Sequence, residues 1–154
     1  KKKKKSIFLF LIFCLNFFFF PENEINTCTF EYNTDVLSKI PNIDGVLSAN
    51  DYMALGVIDA LTASNRHSTV IGVNAMPEAI AAIKAGQMKA TAAYDAMKMC
   101  SAATLAAIQI LKGLPVPSII ELPVEIVDDS NCNLWDQPYE QRPLLAWEDV
   151  DDSA

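Results

Sequence analysis

From Thr34 onward, short apolar runs and amphipathic stretches follow one another in strict alternation, joined by connections of a few residues. Few architectures satisfy that order. Strands linked through helices pair in parallel, and a parallel sheet is covered by those helices because both of its faces are buried. Gly45-Val46-Leu47-Ser48-Ala49, bounded by Asp44 and Asn50, reads as a buried strand. Asn50 offers an N-cap to a helix over 51–64 with apolar positions at Met53, Val57, Ala60 and Leu61. Thr69 to Val73 is a second strand, and Pro77 opens a helix over 77–85 that Gly86 ends. Lys89 to Ala93 is a third, weaker strand. Asp95 caps a helix over 95–112, with Met97, Cys100, Thr104, Leu105, Ile108 and Leu111 on its apolar side. Cys100 is therefore expected to be a small buried hydrophobe. Ser118 to Val127 is extended, but Pro123 cannot donate to a ladder, so two short strands with a crossing between them are expected. The expected fold is α/β, with three layers: a parallel sheet between flanking helices.

The first thirty residues are of another kind. All eight Phe lie between Phe8 and Phe30, and five of the ten Lys are Lys1 to Lys5. A basic start followed by an apolar run from Ile7 to Phe20 has the form of a secretory leader. Pro21-Glu22-Asn23-Glu24 stands where a cleavage site with small residues would be, and runs of Lys, Phe, Ile and Asn are also what A/T-rich DNA encodes. Residues 1–30 are thus expected to be leader-like or a spurious low-complexity segment, with Lys1 to Phe20 outside the fold as a helix or poorly placed stretch in little contact with the rest.

Charge and chemistry narrow the function. The formal net charge is −7, and −12 once Lys1 to Lys5 are set aside, which is unlike the basic footprint of a nucleic-acid binder. Cys28, Cys100 and Cys132 show no metal-ligand spacing. The single His, His67, has no nucleophile or carboxylate partner in a recognisable pattern, and neither a GxGxxG nor a phosphate-binding loop occurs. Neither an enzyme nor a bound cofactor or metal is expected.

Open parallel sheets bind ligands outside the C-terminal ends of their strands. Asn50 follows the first strand, Asn74 the second and Tyr94 the third. Two amides and a phenol at one edge suit a neutral, hydroxyl-rich ligand. Spacing alone is equally consistent with Asn50 as a plain helix cap and Tyr94 as a surface ring.

Three motifs add a resemblance. Asp44-Gly45-Val46-Leu47-Ser48-Ala49-Asn50-Asp51-Tyr52-Met53-Ala54-Leu55-Gly56 resembles the DGVxxxNDxMAxG signature of ribose-binding-type proteins. Ile71-Gly72-Val73-Asn74-Ala75-Met76-Pro77-Glu78-Ala79 resembles their VGxDGxPEA segment, and Ile83 to Ala92 their IKxGxxxAT segment. Order and spacing agree from about residue 34 to 149. The chain thus resembles the C-terminal half of a type I periplasmic sugar-binding protein, the solute-binding component of an ABC importer. The resemblance implies a monosaccharide or polyol ligand held by Asn50, Asn74 and Tyr94, an ABC permease as partner, and a periplasmic location. Asn74 stands where the family often has Asp, Tyr94 where it often has Gln, and Met76 where a capping residue would serve better. It also implies two lobes: residues 31–94 and 126–150 in the C-terminal lobe, and 95–125 as a remnant of an N-terminal lobe otherwise outside this sequence. An incomplete fragment, or a non-functional remnant, is part of that expectation. The LacI-type transcription regulators share the fold and are the alternative. Their Pro-x-Asp before the second strand is replaced here by Asn65-Arg66-His67-Ser68, and no basic helix-turn-helix appears.

Overall fold

The computed structural model describes residues 8–11, 22–40, 42–138, 141, 142, 144, 146, 147 and 150. Among these residues, five strands form one sheet: β1 (Phe8–Leu11), β2 (Gly45–Ser48), β3 (Thr69–Val73), β4 (Ala90–Ala93) and β5 (Glu125–Asp128), in the spatial order β1-β2-β3-β4-β5. Each strand from β1 to β4 runs parallel to its neighbour, and β5 pairs antiparallel with β4. The helices are α1 (Glu22–Lys39), α2 (Asp51–Ala63), α3 (Pro77–Lys84), α4 (Ala96–Leu111) and the single turn α5 (Cys132–Trp135).

The core is aliphatic, as the alternation requires. Val46 and Val70 on the strands meet Met53, Ala54, Val57, Ala60 and Leu61 on α2, with Ile80 and Ile83 from α3 and Leu37 from α1. Met53, Val57, Val70 and Ile80 are almost completely buried. Side-chain hydrogen bonds fasten α1 to this block. The Arg66 guanidinium donates to the carbonyls of Leu37 at 2.7 Å and Ile40 at 3.0 Å, the end of α1 where unpaired carbonyls and the helix dipole favour a cation. Ser68 donates to the Ile43 carbonyl at 2.8 Å, fixing the approach to β2.

The expected α/β fold and its central alternation are present, with four departures. Phe8–Leu11, expected to lie outside the fold, is a strand whose backbone pairs residue for residue with Gly45–Ser48; the remainder of residues 1–20 lies outside the described residues. The change in composition near residue 30 is not a structural boundary, since α1 runs through it from Glu22 to Lys39. Of the two strands expected across Pro123, one forms, β5, and it is antiparallel. An antiparallel edge needs no crossover helix, and the long extended approach from Gly113 lets the chain enter from the opposite end. Cys100, expected to be buried, is exposed. It lies on α4, in which Ala102 is the one buried residue, while Ile110 is 64% and Leu111 87% exposed. Met97 and Leu105 of the expected apolar stripe are half-buried, and Ile108 is exposed.

Candidate ligand-binding site

The register brings the predicted residues to one edge. Leu47 pairs with Ile71 and Val73 with Ala92, so Asn50 and Asn74 stand just past the C-terminal ends of the neighbouring strands β2 and β3. Tyr94 follows the last residue of β4. The three differ in surroundings. Asn50 is 4% exposed, and its Oδ1 accepts the Met53 amide at 2.9 Å, capping α2. The cap occupies the oxygen, and the side-chain NH2 is the group left to donate to a ligand. Asn74 is half-buried, and its backbone N–H donates to the Ala92 carbonyl at 2.8 Å, extending the β3–β4 ladder by one residue. Tyr94, 40% exposed, lines a concavity of about 240 Å³ together with Asp95, Lys98, Pro123, Glu125 and Trp135. Asn50 and Asn74 are not among the residues lining it.

The turn that carries Asn74 has an unusual backbone. Asn74 has φ +117° and Ala75 φ +52°, a region in which a Cβ crowds the neighbouring carbonyl. Such a conformation persists only where its surroundings over-determine it. Here they do. The Ala75 N–H donates to Thr91 Oγ1 at 3.2 Å, and its carbonyl accepts Arg142 at 3.1 Å. The next amide, Met76, donates to Asp51 Oδ2 at 2.8 Å, while Asp51 Oδ1 accepts the Thr91 hydroxyl at 2.7 Å. Asp51 thus reaches from the start of α2 to the start of α3. There Met76 supplies no capping side chain, so a carboxylate from another helix lies where a local cap is lacking. Asp51 and Thr91 are fully buried. Burial pushes the Asp51 carboxyl up from 3.8 to about 6, against the opposing pull of its hydrogen bonds from Met76, Thr91 and Val73.

Arg142 holds the other side of the turn. It is 5% exposed, lies 5.0 Å from the centroid of the Trp135 ring, and also donates to the Trp135 carbonyl at 3.3 Å. Reading the sequence singled out Asn50, Asn74 and Tyr94 but not Asp51, Thr91 or Arg142, which shape the turn beneath Asn74. Asp51 and Thr91 were visible as members of the motifs, and Gly72 between them was the clue to a close approach. Nothing local marks Arg142 as a support of the turn, because Ala75 is 67 residues away. Among the described residues, no group of three or more His, Cys, Asp or Glu could hold a metal ion.

Comparison with known proteins is consistent with this architecture. The family described as "periplasmic binding protein domain" matches residues 22–115. The ribose import binding protein of Bacillus subtilis is 35% identical over 60% of this chain and 30% of its own length. The D-allose-binding periplasmic protein of Escherichia coli is 42% identical over 40% of this chain and 21% of its own. An ABC transporter solute-binding protein from Actinobacillus succinogenes, solved with D-allose, superimposes with a TM-score of 0.68 at 26% identity, over 71% of this chain and 39% of that one. One from Bacillus halodurans, solved with myo-inositol, gives 0.67 at 29% identity, over 72% and 39%. The chain therefore spans well under half the length of each of these proteins.

Proposed function

Because the chain belongs to the periplasmic binding protein domain family, we propose that it is part of the sugar-binding component of an ABC importer, taking a neutral monosaccharide or polyol. The ligand lies against the C-terminal edge of the sheet. Asn50 and Asn74 hydrogen-bond its hydroxyls, and Tyr94 offers a ring face and a hydroxyl. The observation that supports this reading is the register of β2 and β3, by which Asn50 and Asn74 follow neighbouring strands at the edge where open α/β sheets take ligands. The protein works in the periplasm and hands its sugar to a permease of the inner membrane. Its role is binding rather than catalysis, without a cofactor.

On the same reading, residues 31–94 and 126–150 belong to one lobe and 95–125 to a second. The exposure of α4 supports that division, since a helix that buries only Ala102 gains little from the sheet it follows. Two lobes closing on a sugar exclude the water that competes for its hydroxyls. One lobe leaves about three exposed hydrogen bonds, each worth roughly 0.5–1.5 kcal/mol, against an association cost of about 4 kcal/mol or more. Affinity of this chain alone is expected to be millimolar or weaker.

Nuclear magnetic resonance suits that regime. Titrating the chain with pentoses, hexoses and polyols should shift the amide signals at Asn50, Asn74 and Tyr94 together, in a saturable way, for a subset of sugars. Equal, unsaturable shifts for every sugar, or a response confined to charged ligands, would overturn the proposal.

A further inference from the structure

The geometry points to Asp51 as an acid-sensitive latch: its carboxylate holds the Asn74–Ala75 turn in its left-handed shape, and protonation loosens that turn. The ligand-binding consequence rests on the reading of Asn74 as a sugar contact; the latch itself does not.

Two successive residues with positive φ, neither of them glycine, are held by bonds that converge from separate elements. β4 contributes the neutral Thr91 hydroxyl, the C-terminal segment contributes Arg142 to the Ala75 carbonyl, and α2 contributes Asp51 to the Met76 amide. Of these, the bonds from Met76 to the carboxylate and from Arg142 are charge-assisted, and the Met76 bond closes the turn on the side toward α3. β3 approaches Asp51 with Gly72, whose missing side chain makes room for Oδ1. The charged group acting on the carboxylate is Glu78, in the first turn of α3, which repels its negative form. Burial and Glu78 together bring the carboxyl's titration to about 6, where a modest fall in pH protonates it.

The proton has one accommodating position. On Oδ2 it would face the Met76 N–H, donor against donor. On Oδ1 it can be donated to Thr91 Oγ1, provided the Thr91 hydroxyl turns from donor to acceptor. That oxygen already accepts the Ala75 amide and has a second lone pair for the purpose, while its own hydrogen gives up the carboxylate it donated to. The Met76 amide is then left with a neutral carbonyl oxygen in place of a carboxylate. Its bond weakens, and the turn bearing Asn74 loses its carboxylate restraint while Arg142 still holds the Ala75 carbonyl.

The test follows backbone amides of the whole ¹⁵N-labelled chain, without sugar, from about pH 7.5 to about pH 5. The Met76 amide proton should move upfield as its charge-assisted bond is lost, in one step with its midpoint near 6. Protection of the Ala75 and Met76 amides from exchange should fall several-fold over the same step. Asp51→Asn should abolish the step. Glu78→Gln, on an exposed residue, should move the midpoint to lower pH. Amides that stay fixed across the range would overturn the latch, as would a step that persists in Asp51→Asn. Failure of the sugar titration with the pH step intact would remove the ligand reading and leave the latch standing.

Discussion

Asp51 Oδ1 occupies the space in which a side chain on Gly72 would stand: a Cβ there would lie 2.2 Å from that oxygen. Contact that close forces the carboxylate off its bonds to Thr91 and Met76. Gly72→Ala is therefore expected to destabilise the chain by about 1–3 kcal/mol, read from urea unfolding, and to broaden the amide signals of Ala75 and Met76.

Asp51 also sets a pH dependence of stability. Its folded value, about 6, lies above the unfolded 3.8, so the folded chain binds the proton more tightly. The stabilising contribution is full below about pH 4 and is lost as pH rises through about 6. At neutral pH the buried charge costs on the order of 3 kcal/mol. Unfolding of the parent and of Asp51→Asn, compared at about pH 4 and about pH 7.5, should show the variant gaining relative stability toward neutrality by up to that amount. A constant difference would refute the assignment. The local loosening at low pH is compatible with the parent's greater global stability there, because the desolvation cost is carried by the whole fold and the Met76 bond by one turn.

Asn50 has two roles that substitutions can separate. Asn50→Ala removes the cap on α2 and should cost about 1 kcal/mol, more than a strand-end amide without a structural partner would. Asn50→Asp keeps the capping oxygen and removes the NH2 donor. It should leave the unfolding curve nearly unchanged while abolishing the sugar-induced shift at Asn74. Loss of stability in both variants, or of sugar response in neither, would contradict this division.

The Arg142 clamp makes another expectation. Arg142→Ala removes the guanidinium from Trp135 and leaves the Ala75 carbonyl without that donor, which should cost about 1–3 kcal/mol. Ala75→Gly tests the strain the clamp opposes. With φ at +52° a glycine is at ease, so that variant should be neutral or up to about 1 kcal/mol more stable. Circular dichroism melts of the two variants provide the check.

Legibility followed the range of the interactions. β2, α2, β3, α3 and β4 were readable because each is set by its own periodicity, its caps and the turn residues beside it. The ends at Asn50 and Gly86 fell where local chemistry put them. β5 was half-legible: Pro123 ruled out one long strand, but the direction of entry depends on the path from α4, which no local signal fixes. Cys100 was misplaced because an apolar stripe shows which side of a helix seeks cover, and not whether cover is present. Phe8–Leu11 was discounted on composition, although a four-residue apolar run is also what an edge strand requires. Within the site, the edge position of Asn50, Asn74 and Tyr94 was readable, and the capping role of Asn50 was open from the start. The left-handed turn was not, since Asn74 and Ala75 reach it only through bonds to residues remote in sequence.

Gly72 ties three stretches of sequence into one heritable unit. Asp51 belongs to the first motif, Gly72 to the second and Thr91 to the third, and none of the three can change alone without cost. A larger residue at 72 needs a shorter one at 51; a shorter residue at 51 strands the Thr91 hydroxyl and the Met76 amide; an apolar residue at 91 removes a partner from 51 and from Ala75. Substitution along a lineage should then come in concert, with 51, 72 and 91 changing together or not at all, while the exposed residues between them drift independently.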